Sequence, residues 1–400
     1  MCDSKFGPYS TDNDCNYQTE SLSRNSNFWI TFVNCSHSSG YLVYPHCPLD
    51  YCLPPESKAQ INLNVENGAD VQCANNRSGV LCGTCQPGLS LSLGSSNCIP
   101  CSKAWYRQFV VIVIVALLAG IALIALLMVL NLTVAVGTLN GLIFYANIIG
   151  ASSSTFFAGL SSSTKFPSIF ISWLNLEVGF DVCFFEGMDT YWKTWLQLAF
   201  PSYVIFLTFM IIIVSERSLR FSHLIARKNP VATLATVILL SFTMFLRTII
   251  AVLSFAILDY PDGHKRVWLP DASIEYLSGK HIALLIVAIL ILIVGSAYTC
   301  LLFFWQWLLH HQSKTVFKWV KYQRLCHFIE PYHAPYEFKH RYWTGLLLFV
   351  RVAGNYCNHK LSYLPKGILW SNIQEVVCRN YRTDLFLECC SIQRSNSVHT

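Results

Sequence analysis

Charge is scarce in this 400-residue chain, where Asp, Glu, Lys and Arg together make up 12%. A water-facing surface needs about twice that share, so an ordinary soluble protein is excluded. Catalytic signatures are missing too: no G-x-S-x-G, phosphate loop, H-E-x-x-H or paired-carboxylate pattern occurs in a credible context. No catalysis and no cofactor are expected. The first residues, MCDSKFGPYS, contain no basic n-region, apolar h-region or small-residue cleavage site. The expectation is therefore a fragment of a longer chain, or else a first span that draws about a hundred preceding residues across a membrane unaided.

The net charge of +6 does not point to nucleic acid. Residues 1–106 carry eight acids against five bases, so the positive excess lies in the remainder, as a topology signal would. That remainder is apolar. Hydrophobic residues make up 53% of the chain and its mean hydropathy is +0.42. Five runs, 109–130, 134–151, 195–214, 231–258 and 281–308, have membrane-spanning or nearly membrane-spanning length. The lipid bilayer is thus the first partner the sequence implies.

The second run, from Val134, holds Gly137, Thr138, Asn140, Gly141 and Asn147. It either crosses inside a bundle, where small and hydroxyl residues permit close helix approach, or forms a re-entrant hairpin. Residues 215–230 hold Arg217, Arg220, Arg227 and Lys228 against Glu216, and 309–341 hold six bases against two acids. Both segments read as cytoplasmic, which with a crossing second run places the N-terminus outside. Lys103 and Arg107 before the first run, with no base following until Lys165, favour the opposite orientation.

Residues 1–101 contain ten of the seventeen cysteines: Cys2, Cys15, Cys35, Cys47, Cys52, Cys73, Cys82, Cys85, Cys98 and Cys101. Such a segment builds little core and needs staples. The last four form a C-x2-C-x12-C-x2-C frame, whose spacing also suits a four-thiolate zinc site. The even count favours disulfides, as do the N-glycosylation acceptors at Asn34 and Asn76, which operate in a lumen. No metal is expected.

Inside the fourth run, Arg247 should face the bundle or water and find a partner, because a charge in lipid costs roughly 2.5–3.5 kcal/mol. Candidate partners are Asn140, Asn147, Glu177 and Asp181. The last two belong to an acidic, Trp-containing segment, 166–195, that suits an interfacial anchor or a cation-attracting mouth. Five histidines between His310 and His340 fit no ligand frame and read as part of a basic face on anionic lipid.

The phrases CGTCQPG and GSSNCIPC resemble extracellular modules of the epidermal-growth-factor, tumour-necrosis-factor-receptor and ephrin-receptor type. From Asn131 to Val352, phrases such as FISWLNLEVGFDVCFFEGMDTYWKTWLQLAFP and YPDGHKRVWLPD are similar to those of a large group of multi-pass proteins of early-branching animals. That group has a vague likeness to transient-receptor-potential-like channels. The resemblance implies a Cys-rich ectodomain on a helical bundle and no particular reaction. It ends where WTGLLLFVRVA is too short to span.

The expected fold is an all-α multi-pass transmembrane bundle, 107–352, of about five spans and a truncated sixth. A small disulfide-rich extracellular domain, 1–106, precedes it, and an irregular or aberrant tail, 353–400, follows. The expected function is receptor-like or adhesion-like binding of an extracellular protein or glycan at the plasma membrane. The alternatives are a channel or transporter subunit and a non-functional truncated product.

Overall fold

The computed structural model describes residues 68–102, 105–134, 182–217, 230–260, 263–310, 322–336 and 342–361, with short pieces of 15–62 and the isolated positions 136, 141–143 and 340. Four helices are long and apolar enough to cross a membrane: α1 (Trp105–Val129), α2 (Thr190–Arg217), α3 (Pro230–Leu253) and α4 (Gly279–His310). Two more follow, α5 (Tyr322–His333) and α6 (Trp343–Leu361).

Apolar runs that satisfy their own backbone fix these elements. α3 is the hub, with 61% of its spanning window buried against 11–22% in the other three. The bulky side chains that α1 and α4 leave uncovered, among them Val115, Leu118, Ile286 and Ile293, are what a lipid-facing helix requires.

α1 and α2 run in the same direction. The Tyr203 hydroxyl donates to the Leu117 carbonyl at 3.1 Å, and Gly120 leaves room for the Tyr203 ring, which a Cβ there would meet at 2.6 Å. α3 runs against α2 and α4: Ile249 and Val252 near its end pack with Tyr191 and Trp195 near the start of α2 and with Leu284 and Ala288 near the start of α4. The starts of α1, α2 and α4 and the end of α3 therefore lie together, here termed the cap end. At the opposite end Ile124, Leu127, Val204, Ala235, Leu302, Trp305, Tyr332 and Leu348 form the largest core cluster.

The cap end carries the β-structure. The N-terminal strands are β1 (Cys15–Asn16), β2 (Ser21–Ser23), β3 (Thr31–Cys35), β4 (Ser38–Val43) and β5 (Gln60–Asn62), with β1–β2–β5 in one sheet and β3–β4 in another. Three antiparallel hairpins follow: β6 (Arg77–Ser78) with β7 (Thr84–Cys85), β8 (Leu89–Leu91) with β9 (Cys98–Pro100), and β10 (Phe255–Tyr260) with β11 (Gly263–Trp268).

Several expectations need correction. The fold is mostly helical rather than all-α. The fourth run does not continue as helix to 258; α3 ends at Leu253 and the chain turns into β10, where Ala256 and Leu258 face the Cys-rich core while Phe255 and Ile257 face away. Nor is the chain irregular from 353, because α6 continues to Leu361. His333 is fully buried rather than part of a lipid-facing basic surface. The second run, 134–151, lies largely outside the described residues.

Candidate functional site at the cap–helix junction

The Cys-rich region is assembled around one buried arginine. Arg77, 1% exposed, donates through Nε to the Ser96 carbonyl at 2.9 Å and through Nη1 to the Cys82 and Gly83 carbonyls at 3.0 and 3.2 Å. Its guanidinium lies 3.6 Å above the Tyr51 ring. Leu81 and Cys82 adopt left-handed φ angles of 53° and 55°, a conformation that costs roughly 1–2 kcal/mol per residue and survives only where surrounding contacts impose it. Arg77 and the Cys73–Cys82 bond supply those contacts.

Four disulfides are present among the described residues: Cys47–Cys52, Cys73–Cys82, Cys85–Cys98 and Cys101–Cys183. The zinc alternative for the C-x2-C-x12-C-x2-C frame is thereby corrected, since Cys82, Cys85, Cys98 and Cys101 spend their sulfurs on three separate bonds. Cys15 and Cys35 lie on β1 and β3, and Cys2 lies outside the described residues.

The fourth bond fastens the cap to the segment leading into α2. Along that segment the Leu91 amide donates to the Met188 carbonyl at 2.9 Å and the Leu93 amide to the Val182 carbonyl at 3.1 Å, extending the β8–β9 hairpin. The Gly187 amide donates to the Ser90 hydroxyl at 2.8 Å, and the Lys193 ammonium reaches the Ser92 and Ser95 carbonyls. Phe184 and Met188 are buried between this hairpin and α1, with Phe184 4.8 Å from the Phe109 ring. Each such side chain contributes roughly 1.5–3 kcal/mol of burial. Asp189 starts α2 as its N-cap, accepting the Trp192 amide at 2.9 Å.

A second docking surface joins the cap to the segment between α3 and α4. Trp29, Tyr51, Leu81 and Cys82 share a core with Leu258, Val267 and Ala272. The approach is backbone to backbone, and a Cβ on Gly83 would stand 2.7 Å from the Ala272 amide nitrogen. At this three-way seam lies a cavity of about 170 Å³ lined by Thr84, Leu91, Met188, Asp189, Thr190 and Asp271, among others.

Burial dominates the electrostatics. It raises the Asp271 carboxyl above the usual carboxylate range, although that group accepts the Ser273 hydroxyl at 2.6 Å and the Ser273 amide at 3.1 Å. It likewise raises the Tyr51 hydroxyl and lowers the Arg77 guanidinium, with the two partners offsetting each other in part.

Of the polar residues singled out from sequence, Asn76 is exposed in a left-handed turn, with its Nδ2 donating to the Cys98 carbonyl at 3.3 Å. Asn34 lies on β3. Arg247 is half-buried on α3, six residues before the helix ends, and so nearer the cap than a run to 258 implied. Asn140, Asn147, Glu177 and Asp181 lie outside the described residues.

Sequence reasoning missed Arg77, Asp271 and Lys193, and left Cys183 without an assigned partner. The one available signal was the concentration of turn formers and aromatics in YPDGHKRVWLPD. No family model, curated protein or solved structure matches the chain.

Proposed function

We propose that the protein is a receptor-like or adhesion-like component of the plasma membrane, with its Cys-rich cap outside the cell as the binding surface for a protein or glycan. The observation that carries this reading is the fusion of the cap to the helix ends: Cys101–Cys183, the Lys193 contacts and the Gly83 seam leave it docked on the bundle. An event on the cap is thereby placed in contact with α2, α3 and α4.

Orientation is supported by the basic segment that begins at Arg217, at the end of the helices away from the cap. Support for a fifth crossing comes from α1 and α2 both leaving the cap end. Val134 donates its amide to Thr236 Oγ1 near the start of α3, whereas Cys183 is bonded to Cys101 at the cap end, and the two positions bound the interval that follows α1. The run 134–151 is the apolar stretch within that interval.

The test is glycosidase digestion of the full chain in cells, comparing wild type with Asn34→Gln and Asn76→Gln, followed by ligand screening on intact cells. Glycan at either site together with saturable binding supports the reading. A cap that carries no glycan and is shielded from added protease in intact cells overturns it.

A second reading, a channel or transporter subunit, draws on one face of α3. Thr236, Thr243 and Arg247 recur there at helical spacing, and both threonines are fully buried. A current altered by Arg247→Gln would favour it.

A further inference from the structure

The last carbonyls of a helix have no partner within it. At the cap end of α3, three of them receive side chains from elsewhere: Trp268 Nε1 donates to the Ala251 carbonyl at 3.0 Å, His281 Nε2 to Val252 at 3.0 Å, and the Tyr276 hydroxyl to Leu253 at 3.4 Å. His281 is fully buried, and its other ring nitrogen, Nδ1, accepts the Leu277 amide at 3.3 Å. One nitrogen must donate and the other accept. The ring is therefore held neutral, with its hydrogen on Nε2.

Leu277 adds an independent sign of tension. Its φ of 68° lies in the left-handed region that a branched side chain avoids, and 53% of it is exposed, so packing does little to impose that conformation. The turn closed by the Ser278 amide on the Glu275 carbonyl at 3.1 Å and the bond from the Leu277 amide to His281 together hold it there.

We propose that His281 makes the junction acid-sensitive: a proton taken from solvent onto Nδ1 puts two donors face to face, frees Leu277 and loosens residues 269–278 from the end of α3. The Nε2–H bond to Val252 survives, so the break is selective. Helix polarity and the nearby rings, Tyr276 at 4.5 Å and Trp268 at 5.7 Å between centroids, favour a cation modestly. A charge buried beside an unmet donor costs more than that.

The titratable and charged groups on the elements packed around the ring include Asp259, His264, Lys265, Arg266, Asp271, Glu275 and Tyr276 on the connecting segment, Arg247 on α3, Lys280 on α4 and Tyr191 on α2. The sign follows from the bonding: the junction holds while Nδ1 accepts the Leu277 amide and opens when a proton occupies that position, so acid weakens it.

Hydrogen exchange followed by mass spectrometry, on the full chain in lipid nanodiscs and corrected for the intrinsic rate, tests this. Between pH values of about 7.5 and 5, wild-type protection of 269–282 should fall about tenfold while peptides from 120–129 stay constant. His281→Gln and His281→Asn, which cannot titrate, should each respond less than about twofold; a recovered Cys101–Cys183 peptide shows that either has folded. The exposed His264→Asn should respond as wild type does. An unresponsive wild type, or a wild-type response retained in a folded His281 variant, overturns the proposal. Should neither His281 variant fold, the wild-type and His264→Asn profiles decide it: a flat wild type, or a response abolished by His264→Asn, refutes it.

Discussion

The two ends of α3 are closed by different chemistry. At the cap end, short segments with little apolar area meet the helix through directed donors from Trp268, Tyr276 and His281, within a region stapled by disulfides. At the other end the joint rests on packed area. Leu302, Trp305, Ile329 and Leu348 bury against Ala235 and Leu239, a Cβ on Gly345 would meet Phe303 Cα at 2.6 Å, and the Tyr332 hydroxyl adds one bond to the Ala235 carbonyl at 2.8 Å. Small segments that cannot exclude much water hold position by covalent and polar constraints. Helical ends with apolar faces need only fit.

The largest blow to this contrast is Cys101→Ser. Removing a bond between residues 82 apart should cost about 4–5 kcal/mol, seen as early thermal exposure of cap peptides while 298–305 stays protected. Simultaneous loss at both ends would mean that they are not separate. Next come the paired substitutions Gly83→Ala and Gly345→Ala, each forcing a Cβ against backbone at a cost of roughly 1–3 kcal/mol. If the ends are independent, the double variant adds to within about 0.5 kcal/mol by denaturant titration.

Trp268→Phe keeps an aromatic ring and deletes the bond to Ala251, so about 1–2 kcal/mol should be lost at the cap end. Tyr332→Phe should cost about 1 kcal/mol or less at the other end, where packing remains. The smallest effect belongs to Asp271→Asn. The native carboxyl is raised by burial, so its contribution favours the fold below the unfolded carboxylate value and fades as pH rises. The melting temperature of the variant should therefore gain on that of wild type from pH about 3.5 to 6, by the equivalent of at most about 1 kcal/mol. A difference that shrinks with rising pH would reverse the sign.

Much of the bundle could be read from sequence because an apolar run with no charges has few alternatives to a helix. The run 109–130 corresponds to Trp105–Val129, and 281–308 to Gly279–His310. The error in the fourth run has a physical cause: FAIL is as apolar as the helix before it, and a short apolar segment does not reveal its period. What meets the end of α3 is a set of donors 17 to 29 residues downstream, invisible to local pattern.

Half of the candidate site was similarly hidden. Cysteine count predicted staples, but connectivity cannot be deduced from spacing, and Cys101 skipped its near neighbours for Cys183. Arg77 lies inside the glycosylation acceptor at Asn76, a pattern that says nothing of its role; only the fold shows it holding three carbonyls.

The bond between Cys101 and Cys183 has a mechanical consequence. It joins the heads of two helices that descend side by side, with Tyr203 bonded to Leu117 about halfway down. A force applied to the cap therefore loads α1 and α2 together, and neither can slide lengthwise past the other like a piston.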